Sequence, residues 1–295
     1  MEKIKVLVIG DPHFKVSNVM DTEKMCESIL SVAKNYHLDF IVVLGDILDK
    51  FSNIHATPLN NAVQFLKSLM QITDTYVLIG NHDLQNNKQF LSGLHPFTGL
   101  KGWTPKLQII DTVKSFIYKN KKFTFTPYVP PGRFIEALNT CSEWNNSCCI
   151  FAHQEFKGCK MGAFISTDGD EWPLDYPLVI SGHIHDYQEP QNNILYTGTP
   201  IQHAFGDRTD KTISYFEFGE TTMGFDFHKR IDLLLPKKII VRINYDHIEN
   251  YEPPKDSCVK IIINCNSNQS KIVMVHPKVE EWKNYGLFVT CKHIK

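Results

Sequence analysis

Five short segments of the chain collect residue types that bind hard or borderline cations. They are Gly10-Asp11-Pro12-His13, Gly45-Asp46-Ile47-Leu48-Asp49, Gly80-Asn81-His82-Asp83, the lone His153, and Gly182-His183-Ile184-His185. Carboxylates, one amide oxygen and imidazoles, with no thiolate among them, suit manganese, iron, zinc or magnesium. A carboxylate can bridge two ions through its two oxygens, and Asp46 sits in the turn best placed to do so. Two cations roughly 3.5–4 Å apart can hold both the attacking water and the departing oxygen of a phosphate ester. Taken singly, an Asp-x-His or Gly-Asp pair is more often a turn or cap than a site, a lone histidine is more often a satisfied core residue than a ligand, and the Gly-His-Ile-His and Gly-Asn-His-Asp turns are stronger signals.

Their placement along the chain decides between these readings. Each segment follows an apolar run: Val6-Leu7-Val8-Ile9, Ile41-Val42-Val43-Leu44, Val77-Leu78-Ile79, Cys149-Ile150-Phe151-Ala152 and Leu178-Val179-Ile180-Ser181. In an open α/β sheet the carboxyl ends of the strands converge on one rim, where ligands bind. Strands are predicted at Ile4 to Ile9, Phe40 to Leu44 and Tyr76 to Ile79, separated by helices over 22–36 and from Pro58 to about Met70. Short strands are predicted around 107–110, 115–119 and 122–126, with a helix after Gly132. Further strands follow at Cys148 to Ala152, Leu178 to Ser181, Ile194 to Thr197 and Thr212 to Phe218, a second set stacked on the first. After Pro236 the chain restarts with strands at Ile239 to Ile243 and Val259 to Ile263, so residues 1–235 form the main domain and 236–295 a small accessory domain that reads mainly as strands.

The ordered set DPH, GDILD, GNHD, an isolated histidine and GHIH resembles the calcineurin-like metallophosphoesterase superfamily over roughly residues 4–220. The stretch Tyr196-Thr197-Gly198-Thr199-Pro200-Ile201-Gln202-His203-Ala204-Phe205-Gly206-Asp207 is more specific. It resembles the SbcD-type exonucleases of double-strand-break repair and their phage recombination counterparts. The resemblance implies an α/β fold, a four-layer αββα sandwich with a small C-terminal cap-like domain. It implies two divalent cations, manganese foremost with magnesium, iron or zinc as alternatives. Asp11, His13, Asp46 and His185 would hold one ion, and Asp46, Asn81, His153 and His183 the other. His82 would be the unliganded catalytic imidazole, oriented by Asp49, and a two-metal-activated hydroxide would attack a DNA phosphodiester in repair or recombination. Proteins of this type bind an SbcC-type ATPase through helices that follow the cap. No such segment is read in the last 60 residues, and a homodimer is compatible with the sequence.

Other residues carry two readings each. His203 and Arg208 line the substrate path or simply shape a loop, and Lys157 and Lys160 meet phosphate or are solvated. Trp103, Trp144, Trp172 and Trp282 read as packing residues. The net charge of −1 divides into +4 over residues 236–295 and −5 over the rest, a deficit that two bound cations nearly cancel. The apolar start is too short for a signal peptide or a membrane span, and eight cysteines without CxxC spacing read as free thiols, so an intracellular protein, cytoplasmic or nuclear, is expected. Two other functions compete: a phosphatase or diesterase for a phosphoprotein, nucleotide or small ester, and a scaffold that kept the fold and lost its metals. The second should show a broken ligand set, and this set is complete.

Overall fold

The computed structural model describes residues 2–50, 53–221 and 224–294. Along the chain the elements are β1 (Ile4–Ile9), α1 (Val19–Asn35), β2 (Phe40–Val43), α2 (Ala56–Met70), β3 (Asp74–Leu78), β4 (Leu107–Ile110), β5 (Lys114–Tyr118), β6 (Lys121–Thr126) and α3 (Phe134–Leu138). They continue with β7 (Cys149–His153), β8 (Lys160–Met161), β9 (Phe164–Ile165), β10 (Leu178–Gly182), β11 (Gln188–Gln191), β12 (Ile194–Tyr196), β13 (Ile213–Phe218) and β14 (Phe227–Ile231). The last are β15 (Lys237–Asn244), β16 (Ser257–Cys265), α4 (Ser267–Val273), α5 (Pro277–Asn284) and β17 (Phe288–His293).

Two six-stranded sheets, ordered β14-β13-β1-β2-β3-β4 and β11-β12-β10-β7-β6-β5, face one another. β1 to β4 pair in parallel, as do β6, β7, β10 and β12, so the turns after β1, β2 and β3 share one rim, as do those after β7 and β10. Strands covered on both faces need no polar alternation, which is why β2 is buried throughout and reads as a continuous apolar run. The space between the sheets is filled by Val6, Val8, Val42 and Leu78 from one side and Phe123, Phe125, Phe151 and Ile180 from the other. Met25, Ile29 and Ala33 of α1, spaced by one turn, and Ala62, Phe65, Leu66 and Leu69 of α2 are buried, the apolar stripes expected of helices that cover a sheet. On the second sheet the outer cover is thinner, formed by α3 and by Trp144 and Trp172. The result is the expected αββα sandwich.

The chain divides into two compact units, residues 1–201 with 211–233, and residues 202–210 with 234–295. The 202–210 segment thus joins the C-terminal unit, whereas the sequence places it in the main domain. Its anchor is Gln202, whose side chain accepts from the Lys238 backbone at 2.7 Å and donates to the Lys238 carbonyl at 3.0 Å. The C-terminal unit is a parallel sheet ordered β15-β16-β17, with α4 and α5 packed beside β17. Strands predominate in this unit, as expected, and two short helices that the sequence reading did not place, α4 and α5, accompany them. α4 starts at a capping box in which the Asn266 side chain accepts from the Gln269 amide and the Gln269 side chain accepts from the Asn266 amide. Tyr251, Val279 and Trp282 join Ile261 and Ile263 in this unit's own core. Trp103 is also corrected: it is 49% exposed and lies under the Lys67 ammonium at 4.3 Å.

Phe40 is the keystone between the sheets, its ring 4.6 to 6.1 Å from those of Tyr76, Tyr118, Phe123, Phe125 and Phe151. Replacing it with alanine leaves a cavity among aromatic rings from both sheets. Phe40→Ala is expected to lower the unfolding free energy by about 3–5 kcal/mol, and Phe40→Leu by markedly less. Denaturant unfolding of both variants measures this, and equal small losses would remove Phe40 from its assigned place.

Candidate metal centre

The turns after β1, β2, β3, β7 and β10 supply the site, each strand delivering its last residues to the common rim. β7 ends on His153 itself, wholly buried, and β10 ends on Gly182 just before His183. The turns after β1 and β2 are tied together by backbone hydrogen bonds from His13 to the Asp46 carbonyl at 3.0 Å and from Phe14 to the Ile47 carbonyl at 2.8 Å. His13, Asp46 and His183 all adopt left-handed backbone conformations, with φ of 45°, 47° and 78°. Such strain outside glycine persists only where the surroundings over-determine it, and it concentrates at functional sites.

Two groups of donors result. Asp11, His13 and His185 offer ligand atoms within 4.8 Å of one another, and so do Asp46, His153 and His183. In the first, the Nε2 atoms of His13 and His185 lie 3.1 Å apart. In the second, the Asn81 amide oxygen lies 3.1 Å from His153 Nε2 and 2.9 Å from His183 Nδ1. Asp46 stands between them: its Oδ1 is 3.3 Å from His153 Nε2, and its Oδ2 is 3.7 Å from His13 Nε2. Each oxygen therefore faces a different group.

The rings are held so that chosen nitrogens point inward. His153 Nδ1–H donates to the Leu44 carbonyl at 2.7 Å, leaving Nε2 for the site. His183 turns Nδ1 to Asn81, and its Nε2 lies 3.8 Å from the Glu155 carboxylate. The His183 ring in turn holds the Glu155 carboxyl below its usual range. Asp11 Oδ2 accepts from the His183 amide at 2.9 Å, and Asp46 Oδ1 accepts from the His82 amide at 2.8 Å. There is no room for a side chain beside either carboxylate. A Cβ on Gly80 would sit 2.2 Å from Asp46 Oδ1, and one on Gly182 would sit 2.4 Å from Asp11 Oδ1.

Electrostatics show what this donor set lacks. Burial pushes the Asp11 carboxyl up to about 8, with the Asp46 charge adding to the rise and His153 opposing it. Burial also acts to raise Asp46, but the His153 charge and hydrogen bond, with His13 and His82, carry it well below the carboxylate range. Burial alone would lower His153; the Asp46 carboxylate and then Asp11 raise it to about 9. Two buried carboxylates, an amide oxygen and four imidazoles turn their acceptor atoms toward common points, which is favourable only with positive charge among them. Hard or borderline divalent cations match the donors in charge and type, so the residues fit the metals that the sequence implies.

His82 is placed differently from the buried ligands, its side chain being 38% exposed with Nε2 4.0 Å from Asp46 Oδ2. Its Nδ1–H donates to an oxygen of Asp49 at 2.5 Å, but that oxygen is the backbone carbonyl. This corrects the expectation that the Asp49 carboxylate orients His82, because that carboxylate accepts from Lys15 Nζ at 2.9 Å. Three residues had no role assigned from sequence: Lys15, Glu155 and Asp83. Asp83 is the final residue of the GNHD segment, and its buried carboxylate accepts from the Ile47, Leu48 and Gly80 amides at 3.2, 2.9 and 3.0 Å, bracing the turns that carry Asp46 and Asn81. Nothing local to Glu155 marks it out. Lys157 pairs with Glu171 at 2.6 Å, and exposed Lys160 lies in the β8–β9 hairpin, its backbone bonded to the Gln188 side chain. His203 and Arg208 fall in the C-terminal unit, where the Asp207 carboxylate accepts from the His203 amide at 2.7 Å and Arg208 pairs with Asp210 at 2.9 Å.

Residues 4–187 match the profile of the calcineurin-like phosphoesterase family. The 244L protein of Invertebrate iridescent virus 6, which is named as a phosphoesterase, is 44% identical over 267 residues, covering 89% of this chain and 94% of that protein. The 078R protein of Invertebrate iridescent virus 3, named likewise, is 44% identical over 251 residues, covering 84% and 70%. Among solved structures, an archaeal phosphodiesterase aligns over 77% of this chain and 100% of its own at 12% identity, with a TM-score of 0.39. The family match spans all five segments from which the site is built, His183 and His185 included, and 44% identity extends over 94% of a viral relative: the chain belongs to the calcineurin-like phosphoesterase family.

Proposed function

We propose that this phosphoesterase is a manganese-dependent DNA nuclease of the SbcD type. The observation that carries the reaction is the position of Asp46, with one oxygen toward His153 and the other toward His13. Asp11, His13, His185 and Asp46 would hold one cation, and Asp46, Asn81, His153 and His183 the other. Cations so held supply Lewis acidity toward a phosphate ester and a nucleophile at neutral pH. DNA as substrate is supported by the stretch from Tyr196 to Asp207 and by the charge of +4 over residues 236–295.

The chain's own proton chemistry centres on His82. With Nδ1–H fixed on the Asp49 carbonyl, the ring presents Nε2 beside Asp46, on a side chain that is partly open to solvent. In its protonated form the ring also carries a proton on Nε2, which can pass to the departing alkoxide oxygen and leave the neutral imidazole with Nδ1–H on the Asp49 carbonyl. Asp83 and Glu155 act at a distance, the first by bracing two turns and the second by facing the outward nitrogen of His183.

The reading is tested with purified protein and manganese, offered single-stranded DNA, duplex ends, RNA and a chromogenic phosphodiester. Hydrolysis of the small diester with every nucleic acid left intact would refute the nuclease and leave the phosphoesterase. Asp46→Ala is expected to disrupt both cation sites and His13→Ala mainly one, as read by elemental analysis and titration calorimetry. At most one tightly bound ion in the wild type under saturating manganese counts against the paired site.

His82→Asn should keep both cations and cleave DNA about 10²–10⁴-fold more slowly. Its defect should shrink on a nitrophenyl diester, whose leaving group needs no proton. An equal loss on both substrates reduces His82 to positioning the phosphate, and loss of metal makes it a ligand.

A further inference from the structure

The C-terminal sheet has two unlike faces, and their difference follows from strand alternation. Ile239, Val241 and Ile243 of β15, Val259, Ile261, Ile263 and Cys265 of β16, and Val289 and Cys291 of β17 form the core with Val273, Val279 and Trp282 of the helices. The intervening residues must point the other way. The parallel register sets them in rows across the sheet: Ile240, Lys260 and Phe288; then Arg242, Ile262 and Thr290; then Asn244, Asn264 and Lys292. A hydrogen bond from Asn264 Nδ2 to Asn244 Oδ1 at 3.2 Å confirms that this row of side chains shares one face, and the Phe205 ring lies 5.3 Å from that of Phe288.

This face carries Arg242, Lys260 and Lys292, and no acid lies in its rows. The acids of residues 236–295 are in the turns and on α5, where Glu249 meets His276 at 3.1 Å and Glu252 meets Lys278 at 2.5 Å. Phe288 is 55% exposed although it stands beside Lys260, with Arg242 and Lys292 also exposed. A solvated charged face has no use for an exposed aromatic ring, and an apolar protein interface has no use for this excess of cations.

We infer that the open face of β15, β16 and β17 is a binding platform for single-stranded nucleic acid, an inference that rests on the nuclease reading for its choice of polyanion. The cations neutralise backbone phosphates, exposed Phe288, met edge-on by Phe205, offers a ring for an unpaired base to stack on, and the Asn244–Asn264 pair presents amide groups to base edges. A duplex keeps its base faces stacked internally, so the aromatic ring favours the single strand.

The test measures binding of a fluorescent oligothymidylate and of a blunt duplex of equal length to the full chain, with a chelator present so that nothing is cleaved. The wild type should prefer the single strand, and Phe288→Ala should weaken it about tenfold. Phe288→Trp should restore the affinity, a rescue that loss of folding would not permit. Arg242→Ala with Lys260→Ala should lower the salt slope of log K by about 1.4, for two lost phosphate contacts. Lys271→Ala with Lys283→Ala removes equal charge from the helices and should leave binding at the wild-type level. Equal affinity for duplex, equal losses from the helix variants, or no loss from the face variants overturns the platform, as does concentration-dependent self-association that the face variants abolish. Oligonucleotide cleavage with manganese separates the two ideas: cleavage unaffected by the face variants sinks the platform alone, and platform binding without any cleavage sinks the nuclease alone.

Discussion

The structure depends on one electrostatic constraint, which is that acceptor atoms from five separate turns must be held facing one another while buried. Left to relax, Asp11, Asp46 and the four imidazoles would rotate apart or take up protons, and the raised carboxyl of Asp11 expresses that tendency. Rigidity has to come from the frame. Parallel strands fix where each turn begins, backbone bonds couple the turns after β1 and β2, and the Asp83 carboxylate pins three amides from two turns. Each device spends hydrogen bonds of the protein's own so that the inward-facing oxygens and nitrogens are not consumed by them.

The left-handed residues belong to the same constraint. His13, Asp46 and His183 stand in the turns one to four residues past their strand ends and must aim their side chains at the rim within that short span. An ordinary extended or helical backbone would aim them elsewhere. Gly80 and Gly182 complete the arrangement by vacating the volume that Asp46 and Asp11 occupy.

Much of this was legible in the sequence, for a reason that also explains what was not. Strands buried on both faces appear as unbroken apolar runs, so Ile4 to Ile9 and Phe40 to Val43 could be read directly, and the polar residue that follows each run marks the rim. Residue type identifies side-chain chemistry, which is why Asp11, His13, Asp46, Asn81, His153, His183 and His185 could be named before any geometry was known. Backbone roles have no such signature: the carbonyl of Asp49 holds His82, while its carboxylate, the part the sequence advertises, holds Lys15. Glu155 reaches His183 only through tertiary packing, across 28 positions that no local pattern links. The short β8, β9 and β11 lack enough residues to show a period, and α4 hides behind an asparagine whose capping role resembles a turn.

The basic residues of the C-terminal sheet admit a competing account, and the topology weighs against it. A three-stranded sheet has two edges, and lysine on an edge strand discourages pairing with another chain. That suffices for Lys237 and Lys238 on β15 and for Lys292 on β17, the two edge strands. It does not reach Lys260, which stands on β16 with a strand bonded on either side. Edge protection also selects against exposed aromatic rings, yet Phe288 is kept on an edge strand with half its surface in water. A cation on the central strand and an aromatic ring on the edge are the two features that protection leaves unexplained, and both are what a strand of phosphates and unpaired bases requires.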